Sequence, residues 1–149
     1  MRTDILCRAG PAGRSRDGKA AADHDAALYD LSDVPPFKVC PKCGHVWGMR
    51  EGLLSDPAVA LVGYQPHFEE LVAGLMLFNH RTCRTTLAIE VAAFRDLYHG
   101  EVFQHRATGT AECLGLCLQR DDLRVCPARC ECAYVRHILH LVATWHKGG

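Results

Sequence analysis

Phe37-Lys38-Val39-Cys40-Pro41-Lys42-Cys43-Gly44-His45-Val46-Trp47 reads as strand, tight turn, strand. Pro41 and Gly44 supply the turn geometry. A Cys-x-x-Cys pair in such a turn brings two sulfurs to one ion. Pro41 stiffens the turn. Gly44, just past the second cysteine, permits a left-handed backbone and lets amides point at the sulfur. Zinc takes four tetrahedral ligands drawn from thiolate and imidazole, so Cys40 and Cys43 call for two more. Two other uses of the motif fit less well. A redox dithiol opens a helix after a strand, whereas Gly44 and Val46-Trp47 point to a hairpin. Covalent haem attachment needs a histidine where Gly44 stands.

Cys40-Pro-Lys-Cys43-Gly44 resembles the first knuckle of a zinc ribbon, the rubredoxin-like metal turn. The resemblance covers about 45 residues and implies a second knuckle from a distant hairpin. His80-Arg81-Thr82-Cys83, followed by a strand from Thr85 to Ile89, is the candidate. The implied site is three thiolates and one imidazole, from Cys40, Cys43, His80 and Cys83. The second knuckle departs from the family pattern in starting with histidine and in carrying Arg84 where glycine is usual. His45 is the substitute ligand.

Outward from the knuckles, Arg50 to Pro57 reads as a loop or short helical turn. Ala58 to His67 and Leu71 to His80 read as strands, and Gly63, Pro66 and Gly74 weaken a long-helix reading. Leu71, Leu75 and Phe78 nevertheless recur at helical spacing. Thr85 to Val91 alternates as a strand does. Ala92 to Tyr98 has Phe94, Leu97 and Tyr98 at helical spacing, with Gly100 as a stop. Ala111 to Leu118 is a candidate short helix. Cys126 to His146 is the clearest helix, with Val135, Ile138, Val142 and Trp145 on one apolar stripe. The expected fold class is α+β: a small antiparallel zinc-ribbon-like sheet, a cysteine-rich helical hairpin and a C-terminal amphipathic helix.

A second concentration of cysteines lies in that hairpin. Cys113, Cys117, Cys126, Cys130 and Cys132 fall within twenty residues, separated by three, eight, three and one residues. Cysteines four apart share a helix face, so two arms turned at Gln119 to Leu123 would aim four sulfurs at one another, with Cys132 spare or replacing Cys130. Zinc on four thiolates is the favoured occupant. An iron–sulfur cluster also uses four thiolates, but the spacing matches neither common ferredoxin run. Disulfides across the hairpin and thiols buried in a core are the other readings.

Composition sets the bounds. The 149 residues are one domain's worth, and 48% are hydrophobic, enough for a core that needs no cross-links merely to fold. Nine cysteines therefore want a chemical explanation, and an odd number argues against a fully paired disulfide framework. Seventeen basic and seventeen acidic residues give zero net charge. No basic stripe marks a nucleic-acid binder. Met1 to Pro11 has no apolar run of a secretory signal, and the longest apolar run, Leu71 to Phe78, is too short to span a bilayer. The reading is a soluble, cytoplasmic protein whose thiols stay reduced. Residues 1–36 bury too little apolar surface to offset ordering entropy. They read as a disordered tail carrying Cys7 and a helical turn at Ala26 to Leu31. Residues 37–149 form the cysteine-rich metal-binding domain.

No catalytic constellation emerges. Nine histidines are present, but there is no His-Glu-x-x-His. His137 and His140 sit beside the apolar stripe, and His99 and His105 flank a polar turn. Glu69-Glu70 and Asp121-Asp122 are sequence neighbours, a poor geometry for an acid/base couple. Thr108 to Glu112 lacks the spacing and lysine of a P-loop. The leading function is a non-enzymatic zinc-binding protein with one or two structural ions and a regulatory or protein-interaction role. Its contact surfaces would be the outer side of the last helix and the aromatics Trp47, Tyr64 and Phe68. The alternative is a redox protein using residues 113–132 as an iron–sulfur centre or thiol switch.

Overall fold

The structure, a computed structural model, describes residues 33–148. The tail expected over residues 1–36, with Cys7 and the turn at Ala26 to Leu31, lies almost wholly outside them. The strand–turn–strand reading of the first knuckle holds. β1 (Lys38–Val39) pairs antiparallel with β2 (Val46–Trp47), in register Lys38 with Trp47 and Val39 with Val46. A short helix, α1 (Arg50–Ser55), follows and buries Leu53 and Leu54.

The second sheet has three antiparallel strands in sequential order, β3 (Val59–Gln65), β4 (Leu75–His80) and β5 (Thr85–Glu90). In β5, buried Leu87 and Ile89 alternate with exposed Thr86, Ala88 and Glu90, the period-two pattern of a strand with one wet face. The helical spacing of Leu71, Leu75 and Phe78 loses to the sheet: only Leu71–Ala73 turns, as 3-10 helix, before β4 begins. β4 and β5 meet in a tight hairpin, with His80 opposite Thr85. β3 slips register between Leu61 and Gly63, and beyond this irregularity the Tyr64 amide donates to the Arg120 carbonyl at 2.8 Å. A side chain on Gly63 would press within 3.2 Å of that carbonyl, which is why the position is glycine.

The helix expected over Ala92 to Tyr98 forms as a 3-10 helix, Val91–Leu97, that buries Val91 and Phe94. Phe94 is fully buried, with Phe37 edge-on at 6.0 Å and Phe78 at 5.9 Å between ring centroids. The last helix, α2 (Ala133–Ala143), closes the core with Val135, Ile138, Leu139 and Val142. Lys147 then donates to the carbonyls of Leu54 and Val59 at 2.7 and 2.8 Å, which pins the chain end to α1 and β3. Among the described residues, no helix is long and apolar enough to cross a membrane. The α+β class is as expected, with two small antiparallel sheets and a C-terminal helix.

The cysteine-rich stretch differs from its helical-hairpin reading. Between Tyr98 and Cys132 the only regular element is one 3-10 turn, Leu116–Leu118. Gly115 sits at φ 69°, left-handed, and interrupts any helix joining Cys113 to Cys117. The last helix also begins at Ala133 and not at Cys126. The reason lies in its cysteines: residues two apart point to nearly opposite sides of a helix, whereas the sulfurs of Cys130 and Cys132 are 3.3 Å apart. The stripe is real from Val135 onward. The cysteines before it obey another geometry.

Two substitutions check this packing. Phe94→Ala should cost about 3–5 kcal/mol of unfolding free energy, because it empties the junction of three rings. Arg50 holds Asp96 (Nη2 to Oδ2, 2.9 Å) from the surface, and Arg50→Ala should cost about 1 kcal/mol or less. Urea unfolding at matched metal content measures both; equal losses would refute the placement of the core.

Candidate metal centre

Each knuckle is a hairpin turn, and the two turns face each other. The first joins β1 to β2: the Gly44 amide donates to the Cys40 carbonyl at 2.9 Å, and the Cys40 amide donates to the His45 carbonyl at 2.8 Å. The second joins β4 to β5 through residues 81–84. His80 is therefore the last residue of a strand, and Cys83 lies within the turn. The ligand atoms of Cys40, Cys43, His80 and Cys83 all lie within 4.8 Å of one another. Cys40 Sγ is 3.5 Å from Cys83 Sγ, and His80 Nδ1 is 3.3 Å from Cys83 Sγ and 3.7 Å from Cys43 Sγ. In a tetrahedral site, metal–sulfur bonds of about 2.3 Å and metal–nitrogen bonds of about 2.0 Å put ligand atoms roughly 3.6–3.8 Å apart. The three observed spacings lie at or slightly inside these edges, and the remaining pairs fall within 4.8 Å. A Cys3His group is close enough for a metal ion and compatible with a zinc-ribbon-like motif.

Arg84 resolves the departure in the second knuckle. It is the one non-glycine with positive φ among the described residues, at 56°, beside Gly44 at 73°. Both knuckles thus turn left-handed immediately after their second ligand residue. Arginine adopts a backbone that glycine takes freely, at a cost of about 1–2 kcal/mol. His45, the substitute ligand, stands outside the four-residue group. It is exposed, its ring 4.6 Å from that of Trp47.

Burial orders the ligands. Cys40 and His80 are 1% and 2% exposed, Cys83 is half-buried and Cys43 faces solvent. Burial pushes the Cys40 thiol up, but the amides of Cys43 and Lys42, with His80 and Cys83, more than reverse this and bring it down to about 6. Burial and the neighbouring Cys40 and Cys43 raise Cys83 to about 11. The pair thus shares a proton, with Cys40 as the thiolate and Cys83 as the thiol. Nδ1 of His80 faces the sulfurs, so it is the nitrogen that would meet a metal, and Nε2 would then carry the ring proton.

Trp47 and Asp56 were not legible as part of this site. Trp47, expected on a contact surface, is 4% exposed and stands edge-on to His80 at 5.0 Å between centroids. Its indole nitrogen donates to Asp56 Oδ2 at 2.9 Å, and Asp56 Oδ1 accepts from the Ala58 amide at 2.7 Å. Burial raises the Asp56 carboxyl, but these two bonds outweigh it and hold the group below its usual range. The imidazole is thereby wedged against a ring that is itself hydrogen-bonded in place. Tyr64 is likewise core and not a contact residue, at 1% exposed.

The second set of predicted ligands converges less tightly. Cys113, Cys117, Cys126, Cys130 and Cys132 all line one small cavity, yet among the described residues only the Cys3His group brings three or more ligand atoms so close together. The hydrogen bond from Cys132 and the charge of Arg136 lower Cys117 against the opposing effect of burial. The same bond and burial raise Cys132. His137 and His140 are exposed on α2 and remote from any ligand role in the group.

The paired left-handed positions make a test of the turn geometry. Arg84→Gly should leave stability unchanged or raise it by up to about 1 kcal/mol, whereas Gly44→Ala should lower it by about 1 kcal/mol. Thermal unfolding of the metal-loaded chain reads both; a clear loss from Arg84→Gly would sink the reading of Arg84 as a glycine stand-in.

No protein-family model, curated protein or solved structure matches the chain, so the geometry of the four ligands alone carries its functional interpretation.

Proposed function

We propose that Cys40, Cys43, His80 and Cys83 bind one zinc ion, in the manner of a zinc ribbon, and that the ion is structural. The supporting observation is the meeting of four soft or borderline donors, two from each hairpin turn, at tetrahedral spacing. Four protein ligands leave no open position for substrate, which is the mark of a structural site. The ligand set also suits zinc over calcium or magnesium, which demand oxygen. The ion ties the β1–β2 ribbon to the three-stranded sheet, and its binding energy becomes folding energy.

The role built on this scaffold is non-enzymatic, regulatory or interaction-based, with a protein as partner. Val39 and Val46, cross-strand neighbours on the ribbon, are 43% and 56% exposed and offer an apolar contact beside the centre. The outer side of α2, with His137, His140 and Leu141, is a second surface. Balanced charge favours protein over nucleic acid. Thiolate ligands need a reducing compartment, which supports the cytoplasm as its location.

Elemental analysis of the purified chain is the direct test. Zinc should be present and survive dialysis; Cys83→Ser should lose one equivalent, and a strong chelator should lower the unfolding temperature. A chain free of metal that keeps its unfolding temperature in chelator would end the proposal. The pH dependence has a defined sign. Cys40, lowered to about 6, is already thiolate at neutral pH, whereas Cys83, raised to about 11, must release its proton to the solvent on binding. As pH falls through about 6, Cys40 takes up a proton as well. Zinc affinity should then fall more steeply, by roughly one further proton per ion. Competition with a chromophoric chelator between pH 5 and 8 measures the slope.

A further inference from the structure

The stretch between Tyr98 and Cys132 poses a physical problem. A segment of this length with a single 3-10 turn is uncommon inside a compact domain and needs some other source of order. Apolar packing supplies little of it: the buried cluster there consists of Ala107, Cys117, Cys130 and Cys132, with Phe68, Leu71 and Ala128 at its margin. What the segment does have is sulfur. All five of its cysteines line one cavity of about 10 Å³, room for about one water-sized sphere. Cys117, Cys126, Cys130 and Cys132 are buried, and Cys113 lies nearer the surface.

Backbone amides reach two of these sulfurs. The Ala107 amide donates to Cys130 Sγ at 3.2 Å, and the Gly115 amide donates to Cys113 Sγ at 3.4 Å. Cys132 stands at the N-terminus of α2, where the helix dipole favours negative charge. Arg136, one turn on, is fully buried. Its guanidinium is held by the Arg124 carbonyl (Nε 2.9 Å, Nη2 2.6 Å), the Leu116 carbonyl (Nη1 3.5 Å) and Asp122 Oδ1 (Nη2 3.2 Å). All three partners flank the ligand loops, Leu116 and Asp122 on either side of Cys117 and Arg124 before Cys126. A cation is expensive to bury without compensating negative charge, and Asp122 alone shares itself with Arg124. Four thiolates on a divalent ion carry two net negative charges, which supplies the remaining compensation.

We propose that this cavity is a second metal site, holding one zinc ion on the four buried cysteines Cys117, Cys126, Cys130 and Cys132. The size of the cavity suits a single ion and not a four-iron cluster. The 3.3 Å separation of Cys130 and Cys132 Sγ also suits one shared ion, since adjacent corners of a tetrahedral thiolate site are about 3.8 Å apart. On binding, each thiol that still carries its proton releases it to solvent. The loops then close on the ion and gain the order that secondary structure does not give them. Cys113 stays at the rim as a fifth thiol and is not a ligand. The site shares no residue with the Cys3His centre and stands or falls apart from it.

The test is metal stoichiometry by native mass spectrometry and elemental analysis of the full chain, purified with reductant and without air. The unaltered chain should hold two zinc ions. Cys117→Ser and Cys132→Ser should each leave one, Cys40→Ser should leave the other, and Cys113→Ser should keep both. A chain whose zinc is lost with Cys40→Ser and unchanged by Cys117→Ser would overturn the second site while leaving the first. The converse would uphold the second and remove the first. Iron with visible absorption, or a chain mass lighter by two hydrogens with Cys130 or Cys132 in a disulfide, would also overturn it. Loss of an ion from Cys113→Ser would overturn the ligand assignment. Because variants can misfold, cadmium-113 NMR of the unaltered chain is the second measurement. Two resonances are expected, the further downfield from four thiolates; a single resonance would refute the proposal.

Discussion

Four donors meeting between two hairpin turns is the constraint on which the rest of the domain depends. A two-residue strand pair such as β1–β2 cannot persist alone in water. Here it is held by the ligand cluster, by Phe37 against Phe94, by Lys38 donating to the Ala88 carbonyl at 2.9 Å and by Trp47 donating to Asp56. Because Cys40 lies in the main apolar core while Cys43 faces solvent, the centre is a rivet through the edge of the core. One end is packed and the other is open to exchange with the medium.

The electrostatics follow from the same placement. Free thiols at this spacing cannot all ionise, because like charges a few ångströms apart oppose one another. The first turn settles the conflict by aiming its amides at Cys40, so the charge collects there and Cys83 keeps its proton. A bound cation would reverse the balance and let both ionise, so the proposed ion would relieve a conflict that the thiols alone cannot. The Trp47–Asp56 pair braces the His80 ring from outside the ligand cluster, through the ring contact of Trp47 and its hydrogen bond to Asp56.

How much of this could be read from residues alone depends on whether the signal is local. Cys40 and Cys43 declare themselves through Pro41 and Gly44, which leave little choice of turn. Cys83 and His80 come through the resemblance to a zinc ribbon, which implies a second knuckle that the residues alone do not announce. The second turn was placed, but its left-handed backbone was not, since nothing in an arginine announces one; it comes with the tight closure that pairs His80 with Thr85. Trp47 was misplaced because aromatic residues beside a ribbon look the same whether they face a partner or a ligand. The α2 stripe was legible from Val135 on. Extending it back to Cys126 failed because cysteines count as apolar in a periodicity, although their positions here are set by one another and not by the core.

That failure clarifies the C-terminal half of the chain. Gly115 breaks the helix between Cys113 and Cys117, and the close approach of Cys130 and Cys132 breaks it again. A helical hairpin would have satisfied the backbone within itself and left Arg136 with the Asp122 carboxylate as its acceptor. Opening both arms frees the carbonyls of Leu116 and Arg124 to receive that guanidinium. The buried arginine and the irregular, cysteine-lined loops are thus one device: the loops give up backbone hydrogen bonds to each other, and the charge at the base of α2 collects them.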